Sequence, residues 1–256
     1  MKLATWNVNS LKVRLPQVLD WVGKQRPDVL CLQETKLEDP AFPHAELGAA
    51  GYQALSCGQK TYNGVALLSR VAATGCATAI AGFDDPQKRV LAATVSGVRV
   101  ICAYVPNGEN ITSTKFQYKL AWLTAFREWL KAELAAHPLL AVAGDYNIAP
   151  EPRDVHDPGA WEGKIHFTPP EREAFAELVA TGLEDAFRLF DQPERAYTWW
   201  DYRMMAFRRK MGLRIDHILL SPELARRCTA CSIDVEPRSN ERPSDHAPVI
   251  AELNLS

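Results

Sequence analysis

The chain of 256 residues is long enough to bury a sizeable core, and its 47% hydrophobic and 23% charged residues are an ordinary balance for a globular protein. A formal net charge of −2 excludes a global basic field, so any nucleic-acid partner has to be met by a local patch or through metal ions. No apolar run is long enough to span a bilayer, the N-terminal MKLATWNVNS lacks a signal-peptide core, and the six cysteines are scattered; the expectation is a cytoplasmic protein with reduced thiols and no membrane partner.

Taken in chain order, KLATWNV, DVLCLQ, GVALLS, VLAATV, VRVICAYV, LLAVAGD, DHILLS and PVIAEL read as strands, each an apolar run bounded by Gly, Pro, Asn or Asp. Helical spacing puts Leu11, Leu15, Val18, Leu19 and Val22 on one face, and Phe116, Leu120, Leu123 and Leu130 on another. TPPEREAFAELVATG has a Thr cap, Pro in the first turn, early acids and a closing Gly. Without linker, repeat or low-complexity tract, residues 1–256 read as a single domain. Several strands follow each other too closely for helical crossovers. The pattern therefore predicts an α/β protein of mixed sheets with antiparallel pairs, packed face to face and covered by helices. Cys228-x-x-Cys231 has no second pair and reads as two semi-buried thiols.

The informative feature is where polar residues fall. Asn7 and Asn9 end the first strand, Glu34 the second, Tyr104 and Asn107 follow VICAYV, and Asp145 and Asn147 end LLAVAGDYN. Asp216 precedes HILLS, and Ser244-Asp245-His246 precedes APVIAEL. Singly, each is a common turn former. Together they predict convergence on one rim, because the start of an antiparallel strand lies beside the end of its neighbour. Glu34, Asp145 and Asp245 with the amides of Asn7, Asn9 and Asn147 make an oxygen-rich set suited to Mg²⁺ or Mn²⁺. His246 is an imidazole that Asp216 can orient. With neither a Gly-x-Ser-x-Gly elbow nor a P-loop, the set suits phosphodiester hydrolysis by activated water.

These motifs carry a resemblance over nearly the whole chain. PDVLCLQETK, NGVALLSR, AYVPNG, GDYNIAP, DAFRLFDQPERAYTWWDYR, GLRIDHILLS and SDHAPV, in that order, are similar to the successive motifs of the exonuclease III family of DNA-repair nucleases. The resemblance implies a four-layer α/β/β/α sandwich with one site at the sheet rim. It implies that Glu34 is the principal Mg²⁺ ligand with Asn7 and Asp245 close by. Asp145 positions or deprotonates the attacking water and Asn147 holds it in line. His246, oriented by Asp216, binds a non-bridging phosphate oxygen, while Tyr104 and Asn107 contact the phosphate from the other side. Asn9 adds a substrate contact, and Trp199, Leu213 and Ile215 line an apolar recess for a base-less sugar. The implied partner is duplex DNA with abasic sites, nicks or blocked 3′ ends, bound by a monomer.

Several positions depart from the family pattern. Ala186 and Leu189 stand where a hydroxyl and a basic residue are usual, and Lys210 where Asn is common. His166, in HFTPPERE, stands where relatives carry Gly, Ser or Asn. Its bland reading is a partly exposed histidine ahead of a helix; the resemblance instead places its imidazole as added bulk at the pocket mouth, where a partly protonated form would help to hold a terminal phosphate. That predicts a bias toward 3′-end processing over internal abasic-site incision. The segment from Asp201 to Arg214, with Arg203, Arg208, Arg209, Lys210 and Arg214 against one acid, is expected to grip DNA phosphates. The alternatives are a general abasic endonuclease, an inositol-phosphate or sphingolipid phosphodiesterase of the wider superfamily, and a catalytically silent DNA-binding module.

Overall fold

All eight expected strands form in the computed structural model, which describes residues 1–255. The chain runs β1 (Lys2–Asn7), α1 (Leu11–Gln25), β2 (Val29–Gln33), α2 (His44–Ala49), β3 (Gln53–Cys57), β4 (Val65–Ser69), β5 (Thr74–Ala77), β6 (Val90–Val95) and β7 (Val98–Tyr104). It continues with α3 (Thr114–Ala136), β8 (Leu140–Asp145), α4 (Pro158–Trp161), α5 (Pro169–Val179), β9 (Glu184–Asp185), β10 (Asp216–Leu220), α6 (Pro222–Ala225), β11 (Cys228–Ile233) and β12 (Val249–Leu253). The four strands missing from the sequence reading, β3, β5, β9 and β11, are short or half exposed. Each lies at or near a sheet edge, where one-sided burial leaves no continuous apolar run to recognise.

Among the described residues, twelve strands make two six-stranded sheets, ordered β11-β12-β1-β2-β4-β3 and β5-β6-β7-β8-β10-β9. Each sheet contains one parallel pair, β1·β2 and β7·β8, bordered on both sides by antiparallel partners. This is the mixed arrangement expected from the strand spacing. One apolar cluster, including Leu3, Val29, Leu67, Val100, Ala141 and Ile218, fills the space between the sheets. Trp6, Val18, Trp21 and Val22 bury α1 against the outer face of the first sheet. Trp122, Phe126 and Leu130 bury α3 on the second, where Phe175 and Leu178 of α5 join them. Four layers result, α/β/β/α.

Caps fix the helices next to the rim. Ser113 accepts from Phe116 N to start α3, and Thr168 and Glu171 form a reciprocal capping box that starts α5. Within β8, a side chain at Gly144 would put its Cβ 1.9 Å from the Ala103 carbonyl oxygen, so only glycine lets β7 and β8 approach there.

Candidate active site

The two parallel pairs point the same rim at solvent. Register aligns Tyr104 with Asp145 across β7·β8, and Asp145 with Asp216 across β8·β10. Three functional side chains thus stand in one row on adjacent strands of the second sheet. From the first sheet, Asn7 at the end of β1 closes the gap: its amide nitrogen donates to Asp145 Oδ2 at 2.8 Å and to Glu34 Oε1 at 3.0 Å. The loop before β12 is held by Ser244, whose hydroxyl donates to the Asn7 carbonyl at 2.6 Å and accepts from His246 N at 3.2 Å. That turn aims His246 inward, and its Nδ1 meets Asp216 Oδ2 at 2.8 Å.

Backbone conformation marks the same place. Asn9, Ser10, Glu34, Lys36, Asn147 and His166 all adopt positive φ, from 43° to 87°. Left-handed backbone is costly for Ser10, Glu34, Lys36 and His166, and the surrounding structure holds them there against that cost.

Electrostatics separate the groups. Burial alone would push the His246 imidazolium down, but Asp216 and Asp145 raise it to about 10, so the ring is cationic at neutral pH. Burial pushes the Asp145 carboxyl up to about 7, with Asp216 repulsion adding and His246 opposing. Burial, then the Glu34 and Asp145 charges, raise the Tyr104 hydroxyl well above its usual value and keep it a neutral donor. Glu34 lies below its ordinary value: burial opposes this, and Lys36 and Asn7 outweigh it.

The residues fit a divalent cation. Ligand atoms of Asp145, Asp216 and His246 lie within 4.8 Å of one another, but the cationic His246 has no lone pair to offer, so the carboxylates are the groups open to a metal. Asp216 Oδ1 is buried without a hydrogen-bond partner, an oxygen left over by the protein itself. Lys36 already sets an ammonium against Glu34 Oε2 at 2.9 Å and Asn9 Oδ1 at 2.5 Å. Glu34, Asp145, Asp216 and Asp245 bring four carboxyl groups to the rim, an oxygen-rich set suited to a hard dication. Asp245 accepts from Asn9 at 3.0 Å and from the Trp199 indole at 3.0 Å, and Asn9 Oδ1 accepts in turn from the Lys36 ammonium that pairs with Glu34.

On the other flank, Asn107 Nδ2 donates to Asn147 Oδ1 at 3.2 Å, and Asn147 N donates to Asp145 Oδ1 at 2.8 Å. Trp199, Leu213 and Ile215 do come together, with Ala149, Val155 and Phe167. They line no open recess, because Leu213 and Ile215 are completely covered and only Trp199 and Trp161 are partly exposed.

Two expectations need correction. His166 is not partly exposed; it is 6% accessible, with its ring between Trp161 and Trp199. Its Nδ1 lies 2.8 Å from the Asn147 carbonyl oxygen, which can only accept, so the proton sits on Nδ1. Burial, then Lys119, lower its pKa to about 4, and a neutral ring offers a terminal phosphate no charge. Arg214 does not grip DNA either. It is buried, with Nε on Asp154 at 2.6 Å and Nη1 on Asp185 at 2.8 Å. In contrast, Arg203, Arg208, Arg209 and Lys210 are exposed beside Met204 and Met205, although Arg203 is paired with Asp201.

Sequence reading missed Lys36, Thr198 and Lys119. Thr198 Oγ1 holds the backbone N–H groups of Ile215 and Asp216 at 3.0 and 3.1 Å and so sets the start of β10. Lys119 carried a usable signal: it falls on the same helical face as Phe116, Leu120 and Leu123, where a charge needs a buried partner.

Comparisons with known proteins agree with this geometry. The profile of the Endonuclease/Exonuclease/phosphatase family matches residues 4–246. Exodeoxyribonuclease III of Haemophilus influenzae is 37% identical over 269 residues, covering 99% of this chain and 100% of the relative. A solved 3′ phosphatase from Neisseria, bound to a product DNA hairpin, superposes with a TM-score of 0.98 at 49% identity, covering 99% of each chain. An AP endonuclease from Archaeoglobus fulgidus superposes at 0.97 with 38% identity over the whole of both chains.

Proposed function

The chain belongs to the endonuclease/exonuclease/phosphatase family, and we propose that it is a divalent-metal-dependent DNA-repair nuclease of the exonuclease III type that works at 3′ ends of damaged duplex DNA. The observation that carries the reaction is the Asp145–Asp216–His246 group at the rim, buried and charge-separated. Asp145, its carboxyl raised to about 7 by burial, takes the proton of the attacking water. Asn147, fixed against Asp145, keeps that water in line. His246 donates from Nε2 to a non-bridging oxygen of the scissile phosphate and stabilises its growing charge, while Asp216 holds the Nδ1 proton. Tyr104 and Asn107 hold the phosphate from the opposite side. Glu34, Asp145, Asp245 and the amides of Asn7 and Asn147 would hold Mg²⁺, with Mn²⁺ as a substitute; once bound, the ion supplies Lewis-acid stabilisation of the phosphate.

The 3′-end preference is supported by His166. The relative most similar in fold among those named above is a 3′ phosphatase, and His166 closes the space beside Trp199 where a smaller residue would leave room. The effect is steric, since the ring is neutral. A sugar flipped out of continuous duplex brings strand on both sides past this ring, whereas a 3′ terminus at a nick does not. Asn9 and Trp199 shape the substrate side, with Leu213 and Ile215 packed behind Trp199, and Arg208 and Arg209, with Arg203 beside Asp201, supply local positive charge to a protein of net charge −2. The working unit is a single-domain monomer in the cytoplasm. All six cysteines are free, and among the described residues no helix is long and apolar enough to cross a membrane.

The test compares purified protein on a nicked duplex with a 3′ phosphate and on a duplex with one internal abasic site, in Mg²⁺ and in excess EDTA. The expected result is metal-dependent 3′-phosphate removal outpacing abasic incision by about tenfold or more. Equal rates would leave a general abasic endonuclease, and full activity in EDTA would remove the metal assignment.

A further inference from the structure

Lys119 takes no part in the chemistry above, yet its side chain is wholly buried beneath the site. Its ammonium donates to the Asn147 carbonyl at 2.8 Å and to the Asn107 carbonyl at 3.2 Å, and it pairs with Glu171. Three acceptors satisfy the three donors of an ammonium, so nothing remains for another partner. The two carbonyls belong to the residues whose side chains meet, Asn107 Nδ2 to Asn147 Oδ1, on the solvent side. Ammonium below and amide pair above therefore join the loops that follow β7 and β8. Glu171 carries the link to a third segment: its carboxylate accepts from His166 N at 3.1 Å and from Thr168 N at 3.0 Å and Oγ1 at 2.7 Å. The Asn147 carbonyl, in turn, also accepts from His166 Nδ1.

Packing alone does not explain this pair. A buried ion pair exchanged for apolar groups of the same volume often leaves stability unchanged or improved, because both charges have been stripped of water. What apolar groups lack is direction. Only a donor group can fix the carbonyls of two loops at set distances and tie both to the turn that presents His166. Gly108, next to Asn107, has φ +92°, and a Cβ there would meet the Ile165 and Lys119 side chains at 2.9 and 3.2 Å, so the loop already sits hard against the lysine.

We propose that Lys119 is a positioning residue for the hydrolytic reaction: with Glu171 it sets the spacing of Asn107 and Asn147, and it fixes the turn that carries His166. The proposal rests on the nuclease reading for its kinetic test but not for its spectroscopic one. On a nicked duplex with a 3′ phosphate, Lys119→Met is expected to lower kcat by about 30-fold or more, with KM changed less than about threefold. It also leaves Glu171 unpaired, so its Tm falls. Adding Glu171→Gln removes the second charge and keeps one oxygen for the Thr168 cap, while its amide nitrogen replaces the acceptor of His166 N, so the Glu171→Gln single variant is measured alongside. Tm is expected to recover in the pair while kcat stays well below that single variant. Recovery of kcat together with Tm overturns the proposal, and so does failure of this neutral pair to fold, which would make the ion pair a folding element. Independently of turnover, the side-chain amide NMR signals of Asn107 and Asn147, assigned with the corresponding Asp variants, should shift and broaden in the neutral pair. Unchanged signals overturn the proposal even in a protein that cleaves no DNA. Wild-type protein inert toward DNA, with the amide signals shifted as expected, removes the nuclease reading and leaves the clamp standing.

Discussion

Two histidines flank the same rim, equally buried, and end in opposite charge states. Burial pushes both imidazoles toward the neutral form. His246 faces the carboxylates of Asp216 and Asp145 and rises to about 10, whereas His166 faces the Asn147 carbonyl and the Lys119 ammonium and falls to about 4. The buried environment is common to both, so the partners decide the charge. The cationic ring stands where phosphate charge develops, and the neutral ring stands where only shape matters. The arginines repeat the contrast. Arg214 is enclosed by Asp154 and Asp185, while Arg208 and Arg209 face solvent.

The comparison breaks most completely at Asp216. Asp216→Asn keeps the shape but removes the charge that holds His246 cationic, and kcat is expected to fall on the order of 10³-fold with DNA affinity nearly unchanged. The His246 ring, followed by NMR, should then titrate well below its wild-type midpoint. A ring still protonated at pH 8 in that variant would show that Asp216 is not what sustains it.

Next in size is the stability linked to His166. Its folded pKa is depressed below the unfolded value of about 6.5, so the unfolded chain binds the extra proton between the two values. Stability is therefore full above about pH 6.5 and declines as pH falls toward about 4. Compared with His166→Asn, which tolerates the left-handed backbone and does not titrate, wild type should lose about 2 kcal/mol more between pH 7 and pH 5. Parallel denaturation curves for the two proteins would refute a neutral buried ring. Other titrating groups, such as Asp145 and His217, are shared by both proteins and cancel in the difference.

A smaller effect concerns substrate choice. His166 holds φ 75°, which glycine adopts freely, so His166→Gly relieves the backbone while emptying the space between Trp161 and Trp199. Abasic incision relative to 3′-phosphate removal is expected to rise about tenfold. An unchanged ratio would mean that the ring does not gate the site. Smallest per residue is the exposed arginine pair. Arg208→Ala with Arg209→Ala should lower the slope of log affinity against log salt by about two units without changing kcat. A slope identical to wild type would reduce the segment to solvated surface.

Much of this was legible in the residues. Apolar runs announced the eight strands buried on both faces, and polar residues at their ends announced the rim, because strand period and strand polarity are local properties. The capping box of α5 could be read the same way. What escaped was whatever depended on a partner far along the chain. His166 and Arg214 look like any histidine before a helix and any arginine in a basic run. Their burial comes from Trp161 and Trp199 in the first case and from Asp154 and Asp185 in the second.

The sequence alone determined mixed sheets packed face to face under helices, the strand ends that face solvent, and the chemical types gathered there, since these follow from side-chain periodicity and from which residues stop a strand; the four-layer order came with the family resemblance. Only the tertiary structure decided which of those groups are charged. A pKa depends on burial and on neighbours within a few ångströms, and here those neighbours come from β8, β10, α3 and α5, brought together by two sheets closing on one core.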